Sequence, residues 1–310
     1  MVIATQPRTS VTRPRTSVVL AAWAIVLALS LLPVVVAQEL LDFLVSEDLR
    51  AGISVLVIAA GLVCTLVWAP GRALRPLLWL FLVLVVAQWV VLAQVDRLPV
   101  IAAWLRDPSF AVSMPAELGL NLVVTLAIIA ALLVLKGDRR SFYLAKGDPS
   151  APAAPVRWMG VSPGTTWRTL GPILSVCITL GTLAFLVLSG TPAVDDVARA
   201  APFLPVVLLA AALNAFNEEM TYKASFLSVL VEPVGSRQAL RMVAAYFGLA
   251  HFYGVPYGVI GVILAWFLGW ILARSMLETR GMWWAWFIHF LQDVVIFGFM
   301  AVGAITPGGG

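Results

Sequence analysis

Glu218 and Glu219 stand side by side within a long apolar run, Ala201–Val231, that also carries Lys223. An ionised side chain at the centre of a membrane-spanning helix costs about 2.5–3.5 kcal/mol on insertion scales, so two adjacent carboxylates there require a partner or a use. Lys223, four residues after Glu219, shares a helix face with it and supplies one partner. Glu218 is left without one.

The chain has two histidines, His251 and His289, and both fall in apolar segments. His289 and Asp293 are four residues apart on one helix face, so the carboxylate can hold the imidazole tautomer or join it around a water or a metal ion. Phe247 has the same spacing to His251, which sets an aromatic ring one turn from the imidazole; alone, that pattern is ordinary packing. A set of Glu218, Glu219, His251, His289 and Asp293 suits hydrolysis. A carboxylate takes a proton from water while a histidine shares that work or donates to the developing oxyanion. Glu218, His251, His289 and Asp293 could equally ligate a divalent metal such as zinc, which would then activate the water. The residue types leave both routes open, and neither makes a cofactor certain.

The elements that must position these residues are membrane helices. Of 310 residues, 61% are hydrophobic and only 12% charged, more apolar surface than one water-solvated core can hide. Charge-free runs of 17 to 21 residues recur, the length a helix needs to cross roughly 30 Å of hydrocarbon. The expected fold is an all-α polytopic bundle of about nine helices. They fall near Ser17–Ala37, Ile53–Ala69, Leu77–Val95, Leu118–Leu135, Pro172–Ser189, Ala201–Val231, Gln238–Phe252, Val255–Ala273 and Met282–Val302. Val35-Val36-Ala37 weakly resembles a cleavage site, and cleavage would leave eight helices; the length of the run and Pro33 favour a retained anchor.

If the N-terminal tail is cytoplasmic, alternating loops place fifteen of the twenty basic residues on that side and four on the other, with Lys223 inside a helix. That asymmetry is a positive-inside signal for a multi-pass protein, expected in the plasma membrane. Counting from those ends at ~1.5 Å per residue puts Glu218, His251, His289 and Asp293 roughly 16, 18, 10 and 16 Å below the cytoplasmic surface. Three helices thus bring their polar residues to one layer. The expected organisation is a tail at 1–16, an accessory block of four helices at 17–135, a cytoplasmic linker at 136–170 rich in Gly, Ala and Pro, a helix bundle carrying the site at 171–303, and a tail at 304–310.

Cys64 and Cys177 lie in apolar runs without metal-ligand spacing, and the basic residues are dispersed, so nucleic acid is not an expected partner. An ion-coupled transporter gains nothing from this sequence, which shows no internal repeat.

Glu218-Glu219-Met-Thr-Tyr-Lys223, Phe247-Gly-Leu-Ala-His251 and His289-Phe-Leu-Gln-Asp293 resemble, in order and approximate spacing, the three motifs EExxxR, FxxxH and HxxxN/D of the CAAX protease and bacteriocin-processing (Abi) family. The resemblance covers about Ala201–Val302. It implies an intramembrane endopeptidase acting on membrane-associated proteins or peptides, with Glu218 as general base acting with His251 on the attacking water. His289 and Asp293 would stabilise the oxyanion or orient the site, and Glu219 would support them through the basic residue of the first motif. Lys223 stands where arginine is usual; it keeps the charge without the planar fork. The resemblance admits a glutamate-type or a metal-dependent mechanism. It also admits a non-catalytic member, a membrane immunity or scaffold protein. It names no protein partner beyond substrate and bilayer.

Overall fold

The computed structural model describes residues 14–305. Most of the expected tail at 1–16, and the last five residues of the tail at 304–310, lie outside the described residues. All nine expected segments are helical, and the described residues contain no β-strand. We number the main helices α1 (Thr16–Ala28), α2 (Leu32–Leu40), α3 (Glu47–Val67), α4 (Ala69–Val95), α5 (Phe110–Lys136), α6 (Trp167–Ser189), α7 (Val194–Val234), α8 (Ser236–Ala250), α9 (Val259–Thr279) and α10 (Trp283–Ile305).

Seven of these are long and apolar enough to cross a membrane, or eight if α1 and α2 together form one span. The expected single helix Ser17–Ala37 is instead broken, with α1 and α2 meeting at 57°. The break falls where Ser30 turns its hydroxyl back to the Leu27 carbonyl at 2.8 Å, just ahead of Pro33 in the first turn of α2. Proline has no N–H to continue a helix but suits the start of a new one. The segment expected at Gln238–Phe252 is present as α8, whose 15 residues fall short of the roughly 20 a span requires.

One buried apolar core runs through both halves, from Val18 on α1 and Phe81 on α4 to Leu227 on α7 and Ile288 on α10. α7, α8, α9 and α10 pack consecutively against one another, and α6 closes against α10. The N-terminal helices are not a separate body, for α1 contacts α7 and α8, and both α4 and α5 contact α7. Trp23 on α1 donates its indole N–H to Gln238 on α8 at 3.2 Å. On α5, Thr125 donates to Asn217 at 3.0 Å and lies 3.1 Å from the Thr221 hydroxyl, while Asn217 donates to the Leu118 carbonyl at 3.0 Å. This buried, mutually satisfied set fixes α7 against α5 directly beside the two glutamates.

Residues 137–166 form an ordered strap across the start of α10. Asp148 N–H donates to the Thr279 carbonyl at 2.7 Å, Met282 N–H to Ala145 at 2.9 Å, and the Trp284 indole to Pro149 at 3.0 Å. Arg274 pairs with Glu278 at 2.8 Å and also reaches the Ala154 carbonyl, while Trp167 donates to Glu278 at 2.7 Å. Phe142, Tyr143, Ala151, Ala153 and Val161 are buried beneath the strap, so apolar burial as well as hydrogen bonding holds it.

Candidate active site

Glu218 ends the regular part of α7, and Glu219–Ala224 continues it as a π-helical turn. A π turn widens the helix locally and is frequent at functional sites, although Val36–Leu40 and Ala87–Val91 form π turns outside this one. Here it turns Glu219 and Lys223 fully inward, with both side chains 0% exposed. Lys223 Nζ lies 2.7 Å from Glu219 Oε1, without the alignment of a hydrogen bond, and 3.3 Å from the centre of the Phe247 ring. The ammonium is therefore held between a carboxylate and an aromatic face, two attractive partners for a charge removed from water.

His289, two turns into α10, joins the carboxylates. Its Nδ1 lies 2.8 Å from Glu219 Oε1, and its Nε2 lies 3.6 Å from both Glu218 Oε2 and Asp293 Oδ1. Since a carboxylate accepts, Nδ1–H is the donor to Glu219, which fixes the ring and turns Nε2 toward the other two acids. Glu218 has 23% of its side chain exposed, against 5% or less for Glu219, His289 and Asp293, while its Oε2 is itself buried and has no hydrogen-bond partner among the described residues.

Asn214, which the sequence reading did not single out, completes the cluster. Its side-chain amide donates to Asp293 Oδ2 at 3.0 Å and to Glu218 Oε1 at 3.4 Å, and so bridges α7 and α10. Its signal in the sequence was an amide one helical turn before Glu218, on the same face.

His251 is held differently. It caps α8, is half-buried, and its Nδ1 donates to the Phe247 carbonyl at 2.8 Å, which leaves Nε2 as the basic nitrogen in the neutral ring. Its link to the cluster runs through Phe247, whose ring centre lies 4.4 Å from that of His251 and 6.2 Å from that of His289. Phe247 thus touches Lys223, His251 and His289 together, which is more than the packing role its spacing suggested. Two glycines let this happen. A Cβ on Gly269 of α9 would come within 2.9 Å of the Phe247 ring, and one on Gly261 would meet the His251 carbonyl at 2.9 Å and that of Pro256 at 2.1 Å.

Glu218, His251, His289 and Asp293, named above as possible metal ligands, are not gathered around one point. Among the described residues no group of three or more His, Cys, Asp or Glu side chains is arranged to hold a metal ion. His251 is engaged with its own helix, Asp293 with Asn214, and Glu219 with Lys223 and His289.

Fold and site together define an integral, multi-pass, all-α membrane protein with a cluster of carboxylates and imidazole buried among its last helices. Within it, residues 200–295 match the model of a family described as type II CAAX prenyl endopeptidase Rce1-like. That stretch contains all three motifs and agrees with the resemblance they carry. No curated protein and no solved structure matches the chain.

Proposed function

We propose that this protein is an intramembrane endopeptidase that hydrolyses a peptide bond in a membrane-held protein or peptide through a water activated by Glu218. The observation that carries the reading is the arrangement around His289 Nε2, with Glu218 and Asp293 each at 3.6 Å and Glu219 fixing the far ring nitrogen. The matched family's description, a CAAX prenyl endopeptidase, supports the same reaction class.

In this scheme a water binds Glu218 Oε2 and gives up a proton as its oxygen attacks the substrate carbonyl. His289, carrying a proton on Nε2, faces the negative charge that develops on the carbonyl oxygen, and Asp293 and Asn214 keep it oriented. His251, across the Phe247 ring, is the second base. The proton taken from water then passes to the departing amine as the C–N bond breaks. No step is routed through a metal, because the side chains present do not form a ligand set for one.

This reading takes the N-terminus as cytoplasmic and the membrane as the plasma membrane; the orientation is supported by the excess of basic residues in the segments before the matched region, chiefly those at 136–168. The helices before α6 serve as an accessory block around the catalytic bundle.

The test is to express the parent, Glu218→Gln and His289→Ala chains at equal levels and compare the termini of membrane proteins in each strain. Cleavage products that depend on the parent and vanish in both variants are expected. Identical product sets from all three would overturn the proposal and favour a non-catalytic scaffold or immunity protein.

A further inference from the structure

A second site lies outside the acid cluster, at the membrane-boundary end of α10. A cavity of about 290 Å³ opens between α7, α10 and the strap. Phe216, Met282, Trp283 and Trp286 form its apolar floor, and Arg139 and Lys146 stand at its mouth. Both cations are solvent-exposed, and Lys146 Nζ lies 5.9 Å from the centre of the Trp283 ring. Among the described residues neither has an acidic partner, whereas Arg199 and Arg274 each pair with a carboxylate.

The floor continues into the membrane. Trp283 stacks on Phe287 and Trp286 on Phe290, each with ring planes 10° apart, so two aromatic columns run down α10 from the mouth toward the depth of His289. Trp286 is fixed by its indole hydrogen bond to the Ala212 carbonyl of α7 at 3.2 Å. The mouth is equally constrained, because the Ala145 carbonyl accepts from Met282 N–H at the first turn of α10 and Phe142 is wholly buried. The positive end of the α10 dipole adds to the sign set by Arg139 and Lys146.

An apolar, aromatic trough leading from the bilayer to two unpaired cations fits one chemistry, an acyl chain joined to a negative headgroup. We infer that this cavity binds an anionic glycerophospholipid, with its phosphate at Arg139 and Lys146 and an acyl chain against Trp283 and Trp286. Basic pockets between membrane helices recognise lipid headgroups in this way, and tryptophans at the interface favour the boundary between chain and headgroup. The inference does not depend on catalysis, since none of these residues belongs to the acid cluster.

The test uses the purified full chain in detergent and native mass spectrometry, with phosphatidylglycerol and phosphatidylcholine of identical acyl chains as probes. Each basic residue near an anionic lipid is worth about a factor of five, so the parent should retain phosphatidylglycerol roughly 25-fold more strongly than phosphatidylcholine. Arg139→Gln with Lys146→Gln should bring the two lipids to near parity, while Arg157→Gln with Arg168→Gln leaves the preference intact. Trp283→Leu should weaken both lipids together. Inorganic phosphate at millimolar concentration should not displace the lipid, since it lacks the chain. Equal retention of both lipids by the parent, a preference that survives loss of Arg139 and Lys146, or displacement by phosphate alone would each overturn the inference.

Discussion

The two histidines of the candidate site are held in opposite ways. His289 lies within α10, 5% exposed, with Glu219 on one ring nitrogen, Glu218 and Asp293 facing the other, and Lys223 locking Glu219 in turn. His251 sits at the end of α8, where among the described residues its ring makes one hydrogen bond, to its own helix, and it begins a loop in which Tyr253, Val255 and Tyr257 are exposed. One half of the site is closed and pre-organised, where a polar network is worth most and tolerates least. The other half is attached to the kind of segment that opens at low cost. A hydrolase for bulky substrates needs both, a rigid place to stabilise charge and an edge through which the chain to be cut can enter.

The closed half should break first and hardest. Glu219→Ala leaves the Lys223 ammonium buried without its counter-charge, and Lys223→Met does the same to the Glu219 carboxylate. Each should destabilise the protein by about 3–5 kcal/mol, the usual cost of removing one member of a buried pair. Combining Glu219→Gln with Lys223→Met removes both charges and should recover at least half of that loss. Unfolding midpoints in detergent measure all three. Single variants that unfold within about 1 kcal/mol of the parent would mean that the pair is not closed off from water.

Next come the histidines themselves. His289→Ala removes a hydrogen bond to a charged group and should cost about 1.5–3 kcal/mol, whereas His251→Ala removes a neutral one and should cost about 1 kcal/mol. If the proposed reaction is right, both variants lose turnover by about 10²–10⁴-fold. Equal activity loss with unequal stability loss is the signature of one site built from two kinds of support. Equal destabilisation would erase the distinction between the halves.

Phe247 lies on the boundary between them. Phe247→Leu keeps most of the apolar volume but removes the aromatic face under Lys223, a contact worth about 2 kcal/mol when desolvated. A loss of that order in the unfolding free energy is expected, together with reduced turnover, because both histidines touch the same ring. A loss below about 0.5 kcal/mol, within the range of an indifferent substitution, would return Phe247 to simple packing.

How much of this could be read from the sequence follows from what kind of physics fixes each feature. The nine helices were legible because the absence of charge over a span is a local property. The acid cluster was legible because Glu218, Glu219, His289 and Asp293 are costly in lipid wherever they point. The π turn at Glu219–Ala224 was not, since widening a helix depends on what packs against it, here Phe247 and His289. Asn214 was hidden because an amide carries no charge to mark it. The order of the strap at 137–166 was hidden too, because its anchors, such as Asp148 to Thr279 and Trp284 to Pro149, join residues more than a hundred positions apart. The placing of His251 was hidden as well, because its bond to the Phe247 carbonyl and its seat at the end of α8 depend on where that helix stops.

The smallest effect should come from the open edge. Tyr253 donates its hydroxyl to Gln38 on α2 at 2.8 Å, the contact that ties the loop after His251 to the broken first helix pair. The bond is exposed, so water replaces it readily, and Tyr253→Phe should cost no more than about 0.5 kcal/mol of global stability. Its local effect should be larger in kind. Amide exchange in residues 252–258 should quicken while exchange across Glu218–Ser225 stays as slow as in the parent. If the closed segment quickens as well, the loop and the acid cluster open as one unit, and the contrast between the two histidines is one of position alone.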